Sequence, residues 1–349
     1  MKLDDLHFSF REVDSYNKPF NFIISEREAG KTTAMVLKMW KAFQENRTSL
    51  ILRRQAVDIT DLYIDSIQNV LNKFIDTPIE FTYKRSKMKD GMLEVYVNDK
   101  LFFWVVALSS KLQRLKSLML PGIKYIFFDE FIVNMKLGER YLQSEEFKFK
   151  EIFNTFQREA RELKCYFLGN PYSHFNPYFV DFGVKTSLLK PGARQIGPNW
   201  IVECYQIKEE LKEFIVKNNP LYIFDNSYTK YAFGGQAIDD ANILIVEKQP
   251  QNFSLCLIFK YNDKFINVYK TNKIEQEDYK FWINLTDTYE GKRRNVFCID
   301  WRDMANNCYF IDAVSRDYFW SLRNALQVRT VAYQSIEASY MLESIYPDI

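Results

Sequence analysis

The chain has 349 residues, 47% of them hydrophobic and 17% aromatic, with a formal net charge of +2. That composition excludes a disordered polyelectrolyte and a global positive field, and the length makes two domains the natural division. Five cysteines (165, 204, 256, 298 and 308) form no CxxC pattern and leave one unpaired in any disulfide scheme, which argues for reduced, buried thiols. With His7 and His174 as the only histidines, His-ligated zinc and Ser-His-Asp chemistry are poorly supported. Met1-Lys2-Leu3-Asp4-Asp5 has no signal-peptide core, and the longest apolar run, 101–108, is too short to cross a bilayer. A soluble intracellular protein with no membrane partner is expected.

In chain order, Phe22-Ile23-Ile24 reads as an apolar strand, and a helix is expected from Thr33 to about Asn46. Ser49-Leu50-Ile51-Leu52 is a buried strand ending at Arg53-Arg54. Ile59, Tyr63, Ile67, Val70, Leu71 and Phe74 then recur at helical spacing. Runs 92–97 and 101–108 flank Asn98-Asp99-Lys100, a hairpin signal. Tyr125-Ile126-Phe127-Phe128 is the next strand, 141–163 a long helical stretch, and Cys165-Tyr166-Phe167-Leu168 another strand, closed by Gly169-Asn170-Pro171. Strands alternating with helices predict a mostly parallel sheet. A helix over 209–217 opens a linker subdomain punctuated by Asn218-Asn219-Pro220 and Gly234-Gly235. Strands are expected at 243–247, 253–260, 265–269 and 295–299, and helices near 316–325 and 336–345. The division predicted is 1–208, a linker at 209–239, and a second α/β domain with an antiparallel start at 240–349.

The chemistry concentrates in two places. Ser25-Glu26-Arg27-Glu28-Ala29-Gly30-Lys31-Thr32 lies between a strand and a helix, as a phosphate-binding loop does, with Ser25 where the pattern GxxxxGK[ST] has its first glycine. Gly30 is the demanding position, because backbone N–H groups must close around phosphate oxygens there. Lys31 supplies charge to the β- and γ-phosphates of ATP, the Thr32 hydroxyl can ligate Mg²⁺, and the helix N-terminus at Thr33 adds its partial charge. Glu26 and Glu28 are poor neighbours for a triphosphate and are expected to point outward, partly offset by Arg27. The second place is the carboxylate pair closing the Tyr125–Phe128 strand. Asp129 would hold Mg²⁺ and Glu130 would polarise the attacking water; taken alone, an Asp-Glu pair also commonly just ends a strand in solvent. An acid directly after the Walker B aspartate favours the additional-strand, catalytic-glutamate class of P-loop ATPases. Asn170 could sense the γ-phosphate or merely cap a turn. Arg158 or Arg161 could act as an arginine finger on a neighbouring subunit, or pair on the surface with Glu159 or Glu162.

This constellation resembles the viral DNA-packaging ATPases, specifically the compact φ29-type encapsidation proteins of short-tailed phages, which are related to terminase large subunits. The resemblance rests on Asn21-Phe22-Ile23-Ile24 leading into the Gly30-Lys31-Thr32 loop and on Leu52-Arg53-Arg54. It extends through Phe128-Asp129-Glu130-Phe131, Phe156-Gln157-Arg158, Asn170 and Asn176-Pro177-Tyr178-Phe179, over roughly 12–180. It implies a homomeric ring, expected to be a pentamer, docked at the portal of an empty capsid in the host cytoplasm and pumping double-stranded DNA inward by ATP hydrolysis. A structural packaging RNA is a further partner suggested by the likeness. The resemblance places Ser25, Arg27, Ala29, Gly30, Lys31, Thr32 and Thr33 at the nucleotide and Tyr16 near the adenine. It places Thr32 and Asp129 at Mg²⁺, Glu130 as catalytic carboxylate, Arg158 as the trans-acting arginine, and Lys116 in a loop acting across the subunit interface.

Large terminases carry an RNase H-like nuclease after the ATPase, which needs clustered carboxylates for two metals. The strand expected to open such a fold, Phe253 through Lys260, contains no acid; Asp300, Asp312 and Asp317 remain as candidate ligands. The second domain is therefore expected to be a smaller RNase H-like relic, the alternative being a terminase-like protein with both ATPase and nuclease activity. Lys292-Arg293-Arg294 is a candidate basic patch. For DNA phosphates the candidates are Lys84, Arg85, Lys87 and Lys89, and Lys111, Arg114 and Lys116.

Overall fold

Five consecutive buried residues, Asn21 to Ser25, mark strand β1 (Phe20–Ser25) as a strand covered on both faces, the pattern of a parallel sheet interior. The computed structural model describes residues 6–85, 91–110, 122–134, 139–142, 144–158, 160, 162–173, 176–185, 188–219, 243–261, 263–271, 279–289, 296–298, 303–304, 308–327 and 330–345. They belong to two units, Met1–Ile238 and Asp239–Ile349.

The first unit is built on a nine-stranded sheet. Besides β1 it contains β2 (Thr48–Arg53), β3 (Phe81–Arg85), β4 (Met92–Val97), β5 (Lys100–Ala107), β6 (Ile123–Asp129), β7 (Lys164–Gly169), β8 (Arg194–Ile196) and β9 (Trp200–Tyr205). The order is β3-β4-β5-β2-β6-β7-β1-β9-β8. From β5 to β9 every neighbouring pair is parallel, and only the β3-β4-β5 and β8-β9 margins are antiparallel. Alternating residues of each strand feed opposite cores. Phe22, Ile24, Leu50, Leu52, Phe128 and Phe167 face one cluster; Ile23, Ile51, Phe127, Tyr166 and Leu168 face the other. Helix Lys31–Gln44 supplies Met35, Val36 and Met39 to the second cluster. Helix Asp61–Asn72 joins it through Ile64, Ile67 and Leu71, with the Thr60 hydroxyl accepting from the Tyr63 N–H at 3.1 Å as an N-cap. The predicted helix 141–163 is shorter, Glu145–Gln157, and packs Phe149, Ile152, Phe153 and Phe156 inward. Helix Glu209–Asn218, expected to open a linker, sends Leu211 and Ile215 into the first core. The rest of that expected linker, from 220 on, lies outside the described residues.

The second unit has a seven-stranded sheet of β10 (Leu244–Ile245), β11 (Ser254–Tyr261), β12 (Lys264–Lys270), β13 (Phe281–Thr286), β14 (Val296–Cys298), β15 (Cys308–Phe310) and β16 (Val331–Tyr333). Its order is β10-β16-β13-β12-β11-β14-β15. β11-β12-β13 form an antiparallel meander, while β14 runs parallel to β11 and β15 parallel to β14. Helices Trp320–Gln327 and Ile336–Ile345 contribute Leu322, Ala325, Met341, Leu342 and Ile345 to a core with Phe259, Ile266, Val268 and Phe297. No helix among the described residues is long and apolar enough to cross a membrane.

Candidate nucleotide site

Because β1, β2, β6 and β7 run parallel, their carboxyl ends lie along one edge, where open α/β sheets place ligands. Ser25, Arg53, Asp129 and Gly169 are the last residues of those four strands. One strand, β7, separates the glycine–lysine loop strand β1 from the carboxylate strand β6.

The loop turns at Gly30, whose φ of 90° is left-handed backbone. A Cβ there would lie 3.1 Å from Cβ of His7, so glycine meets both a conformational and a steric demand. The preceding segment is strapped down by the Phe8 N–H donating to the Ala29 carbonyl at 2.8 Å. Lys31 opens the helix and folds back into the loop. Its Nζ donates to the Ser25 carbonyl (2.8 Å), Ser25 Oγ (2.7 Å), the Glu26 carbonyl (3.1 Å) and Asn170 Oδ1 (3.1 Å). Burial pushes its pKa down to about 7, against the attraction of Asp129. A desolvated ammonium held by neutral oxygens is poised for a stronger anion. Thr32 is exposed and Thr33 half-buried.

Ser25, in the place of the first glycine, ends a strand and is absent from the left-handed residues, which in this loop are Glu28 (φ 61°) and Gly30. A side chain is therefore tolerated, and Ser25 Oγ also donates to the Glu26 carbonyl at 3.1 Å. The expectation that Glu26 points outward is overturned. It is 2% exposed, and its Oε2 accepts from the Ile207 N–H at 3.0 Å; burial raises its pKa. Turning inward removes its charge from the loop mouth, while Glu28 stays exposed. Arg27 donates to the Tyr172 hydroxyl at 2.8 Å, two residues beyond Asn170.

Facing the loop, Asp129 lies 3.3 Å from Nη1 of Arg53 and accepts from the Tyr63 hydroxyl at 3.1 Å. Burial raises its pKa, opposed by Arg53. Glu130 leaves the strand with φ 60°, a conformation costing a non-glycine residue roughly 1–2 kcal/mol. Its side chain is 61% exposed, with Oε2 2.8 Å from Nη2 of Arg53. Arg53, stacked on Tyr63 at 4.9 Å, thus spans both carboxylates. Asn170, the residue directly after β7, reaches the same site through Lys31. The structure therefore brings together Ser25, Lys31, Asp129, Glu130 and Asn170.

Tyr16 carries the Arg194 guanidinium on its ring (5.2 Å) and accepts from it at 2.8 Å. Arg158 is exposed at the C-terminal end of helix Glu145–Gln157; Arg161 lies outside the described residues. Lys84 sits over Tyr96 and Arg85 pairs with Asp61 on the edge strand β3. Lys87, Lys89, Lys111, Arg114 and Lys116, like Lys292-Arg293-Arg294 and Asp300, lie outside the described residues. In the second unit Lys260 of β11 is in register with Cys298 of β14 and lies 3.9 Å from Asp303. Asp312 and Asp317 fall in the short turns Ile311–Ala313 and Arg316–Phe319.

Sequence reasoning did not assign roles to Arg53, Tyr63 or Tyr172. Adjacent arginines closing a buried strand were a usable signal, since neighbours on a strand point to opposite faces and two buried cations each demand partners. Tyr63 was read as one member of an apolar stripe, and nothing local distinguishes its hydroxyl.

Fold and site define a two-unit α/β protein with a glycine–lysine loop and paired carboxylates at the carboxyl edge of a parallel sheet. A family model described as Podovirus DNA encapsidation protein (Gp16) matches residues 3–338, and the chain belongs to that family. It is 23% identical to a DNA packaging protein of Bacillus phage B103, over 87% of this chain and 88% of the relative. With the DNA packaging protein of Bacillus phage phi29 the identity is 24%, over 90% and 88%. The fold is similar to a solved structure described as the Phi-28 gp11 DNA packaging motor, with a TM-score of 0.68 at 17% identity over 97% of each chain. It is also similar to a chain of the bacteriophage Phi-29 viral genome packaging motor assembly, with a TM-score of 0.61 at 19% identity over 99% of each.

Proposed function

We propose that the chain is the ATP-hydrolysing subunit of a ring that drives double-stranded viral DNA into a preformed capsid at its portal. The observation that carries this reading is the convergence of Lys31, Asp129, Glu130 and Asn170 at one sheet edge in a member of the encapsidation family. The strand between β1 and β6 supports placement in the additional-strand, catalytic-glutamate class.

In this reading Gly30 and the helix N-terminus receive phosphate oxygens, and the Lys31 ammonium exchanges its loop carbonyls for the β- and γ-phosphates. Thr32 and Asp129 hold Mg²⁺, which when bound neutralises developing phosphate charge. The residues fit that ion: Asp129 is a buried carboxylate whose contacts with Arg53 and Tyr63 both fall on Oδ2, and Thr32 is an exposed hydroxyl beside the lysine. Glu130 accepts the proton of the attacking water, so Arg53 must release it first. Asn170, bonded to Lys31 and two residues from the Tyr172–Arg27 contact, reports occupancy of the loop to the segment after β7. Arg158, exposed at a helix end, is offered to the neighbouring subunit. The proposal includes a pentameric ring, a packaging RNA and residence in the host cytoplasm and then at the portal vertex, and membership of the encapsidation family supports it.

The meander β11-β12-β13 followed by parallel β14 and β15 supports an RNase H-like second domain. Lys260 occupies the acid-free opening strand, and we read the domain as a nuclease relic. ATP turnover with and without double-stranded DNA, and packaging into empty capsids, test the motor reading. Lys31→Ala and Glu130→Gln should each abolish packaging and DNA-stimulated turnover, leaving at most a slow residual hydrolysis, and packaging that survives either change sinks it. Mg²⁺-dependent plasmid cleavage lost on Asp300→Ala would instead establish an active nuclease.

A further inference from the structure

Arg53 and Arg54 leave β2 on opposite faces, and only Arg53 meets the carboxylates directly. Arg54 is 8% exposed and grips the backbone behind them. Its Nη1 donates to the Glu130 carbonyl at 3.1 Å and its Nη2 to the Phe131 carbonyl at 2.6 Å. These are the two carbonyls that follow the left-handed turn at Glu130. The same guanidinium is clamped by Glu145, with Nε donating to Oε2 at 2.9 Å and Nη2 to Oε1 at 3.0 Å. Glu145 is fully buried, and its remaining capacity is filled by the Tyr178 hydroxyl (2.9 Å) and the Leu142 N–H (2.8 Å). Phe128 and Tyr141 cover the guanidinium at 5.5 and 5.2 Å.

An ion pair buried this deeply is a poor source of stability compared with apolar packing. What it supplies here is geometry, because a planar fork with two carbonyls and one carboxylate satisfied in fixed directions cannot swing. We propose that Arg54 is a positioning residue that sets the aim of Glu130, holding its strained backbone from behind, and that Glu145 locks Arg54 in that grip. The proposal rests on the reading of Glu130 as the carboxylate that activates water. It predicts a division of labour: Arg53 governs where the Glu130 side chain rests, and Arg54 governs the peptide from which it projects.

The test uses the full-length chain, with nucleotide affinity, single-turnover ATP hydrolysis and thermal melting measured on each variant. Arg54→Lys keeps the charge beside Glu145 but loses the fork. It should bind ATP within about threefold of the parent and hydrolyse it about 10- to 100-fold more slowly, the penalty of sub-ångström misplacement. Because Arg54 acts through Glu130, the same change in a Glu130→Gln background should add no further loss. Glu145→Gln, a near-isostere, should show the same affinity-sparing fall in turnover at smaller size, and carries the test should Arg54→Lys not fold. Parent-like turnover in the folded variants, or an equal fractional loss in both backgrounds, overturns the proposal and leaves Arg54 a packing residue. Glu130→Gln with parent-like turnover would instead remove the assignment of Glu130, and this inference with it.

Discussion

Arg53 and Glu130 are joined side chain to side chain at 2.8 Å, while the other terminal nitrogen of the guanidinium lies 3.3 Å from Asp129. One oxygen of the Glu130 carboxylate is thereby occupied by a guanidinium that rests on the Tyr63 ring at 4.9 Å. Replacing Arg53 with alanine should therefore free Glu130 in the absence of DNA. The expected outcome is a ratio of DNA-stimulated to basal ATP turnover that falls toward one. Steady-state hydrolysis with and without double-stranded DNA measures it, and an unchanged ratio would refute the resting-clamp role.

Lys31 titrates at about 7 in this structure, lowered by burial from its ordinary 10.5. In the unfolded chain it stays protonated to much higher pH, so between those values the native state binds fewer protons and stability rises with pH. Phosphate favours the charged form, so binding ATP should take up a proton above pH 7 and little below it. Calorimetry in buffers of different ionisation enthalpy should show uptake at pH 8.5 and almost none at pH 6. Affinity should weaken as pH rises through this window. Equal uptake at both values would show that Lys31 does not carry the linkage.

Gly30 combines a φ of 90° with a Cβ position 3.1 Å from His7. Gly30→Ala should destabilise the protein by roughly 1–2 kcal/mol, the cost of a left-handed alanine, and weaken ATP binding by more than the melting shift explains, since the loop N–H groups must move. Fluorescent-nucleotide titration of the folded variant checks this; parent-like affinity would mean the loop closes without that geometry.

Phe167 is fully buried on β7, stacked on Phe22 at 4.3 Å and against Phe149 at 4.8 Å. Phe167→Ala should cost about 3–5 kcal/mol of unfolding free energy, transfer and cavity terms together. Urea denaturation followed by tryptophan fluorescence would register it as a lower midpoint. A loss under about 1 kcal/mol would show that the strand separating β1 from β6 can collapse around the hole.

Helix 336–345 and the hairpin around Asn98-Asp99 are expected from the sequence, and the structure has Ile336–Ile345 and β4–β5 in those places. Strands β3, β8, β9, β13, β15 and β16 have no counterpart among those expected from the sequence. Val331–Tyr333 spans three residues, too few for a period to register, and it is a strand because β13 pairs with it. Glu26 was misjudged for a related reason. Nothing adjacent in the chain indicates that the Ile207 N–H, far along the sequence, awaits a buried acceptor.

Local order carried the loop, the carboxylate pair and the alternation of strand and helix, because a strand–loop–helix and a strand-end acid need only neighbours to be recognised. Strand order is another matter. That β7 inserts between β1 and β6, putting Asn170 against Lys31, depends on hydrogen-bond pairing across more than a hundred residues. The same holds for the opposite duties of Arg53 and Arg54, adjacent in the chain but facing different sides of a sheet whose partners come from β6 and from helix Glu145–Gln157. Side-chain chemistry names what a residue is able to do; only packing selects which partner it meets.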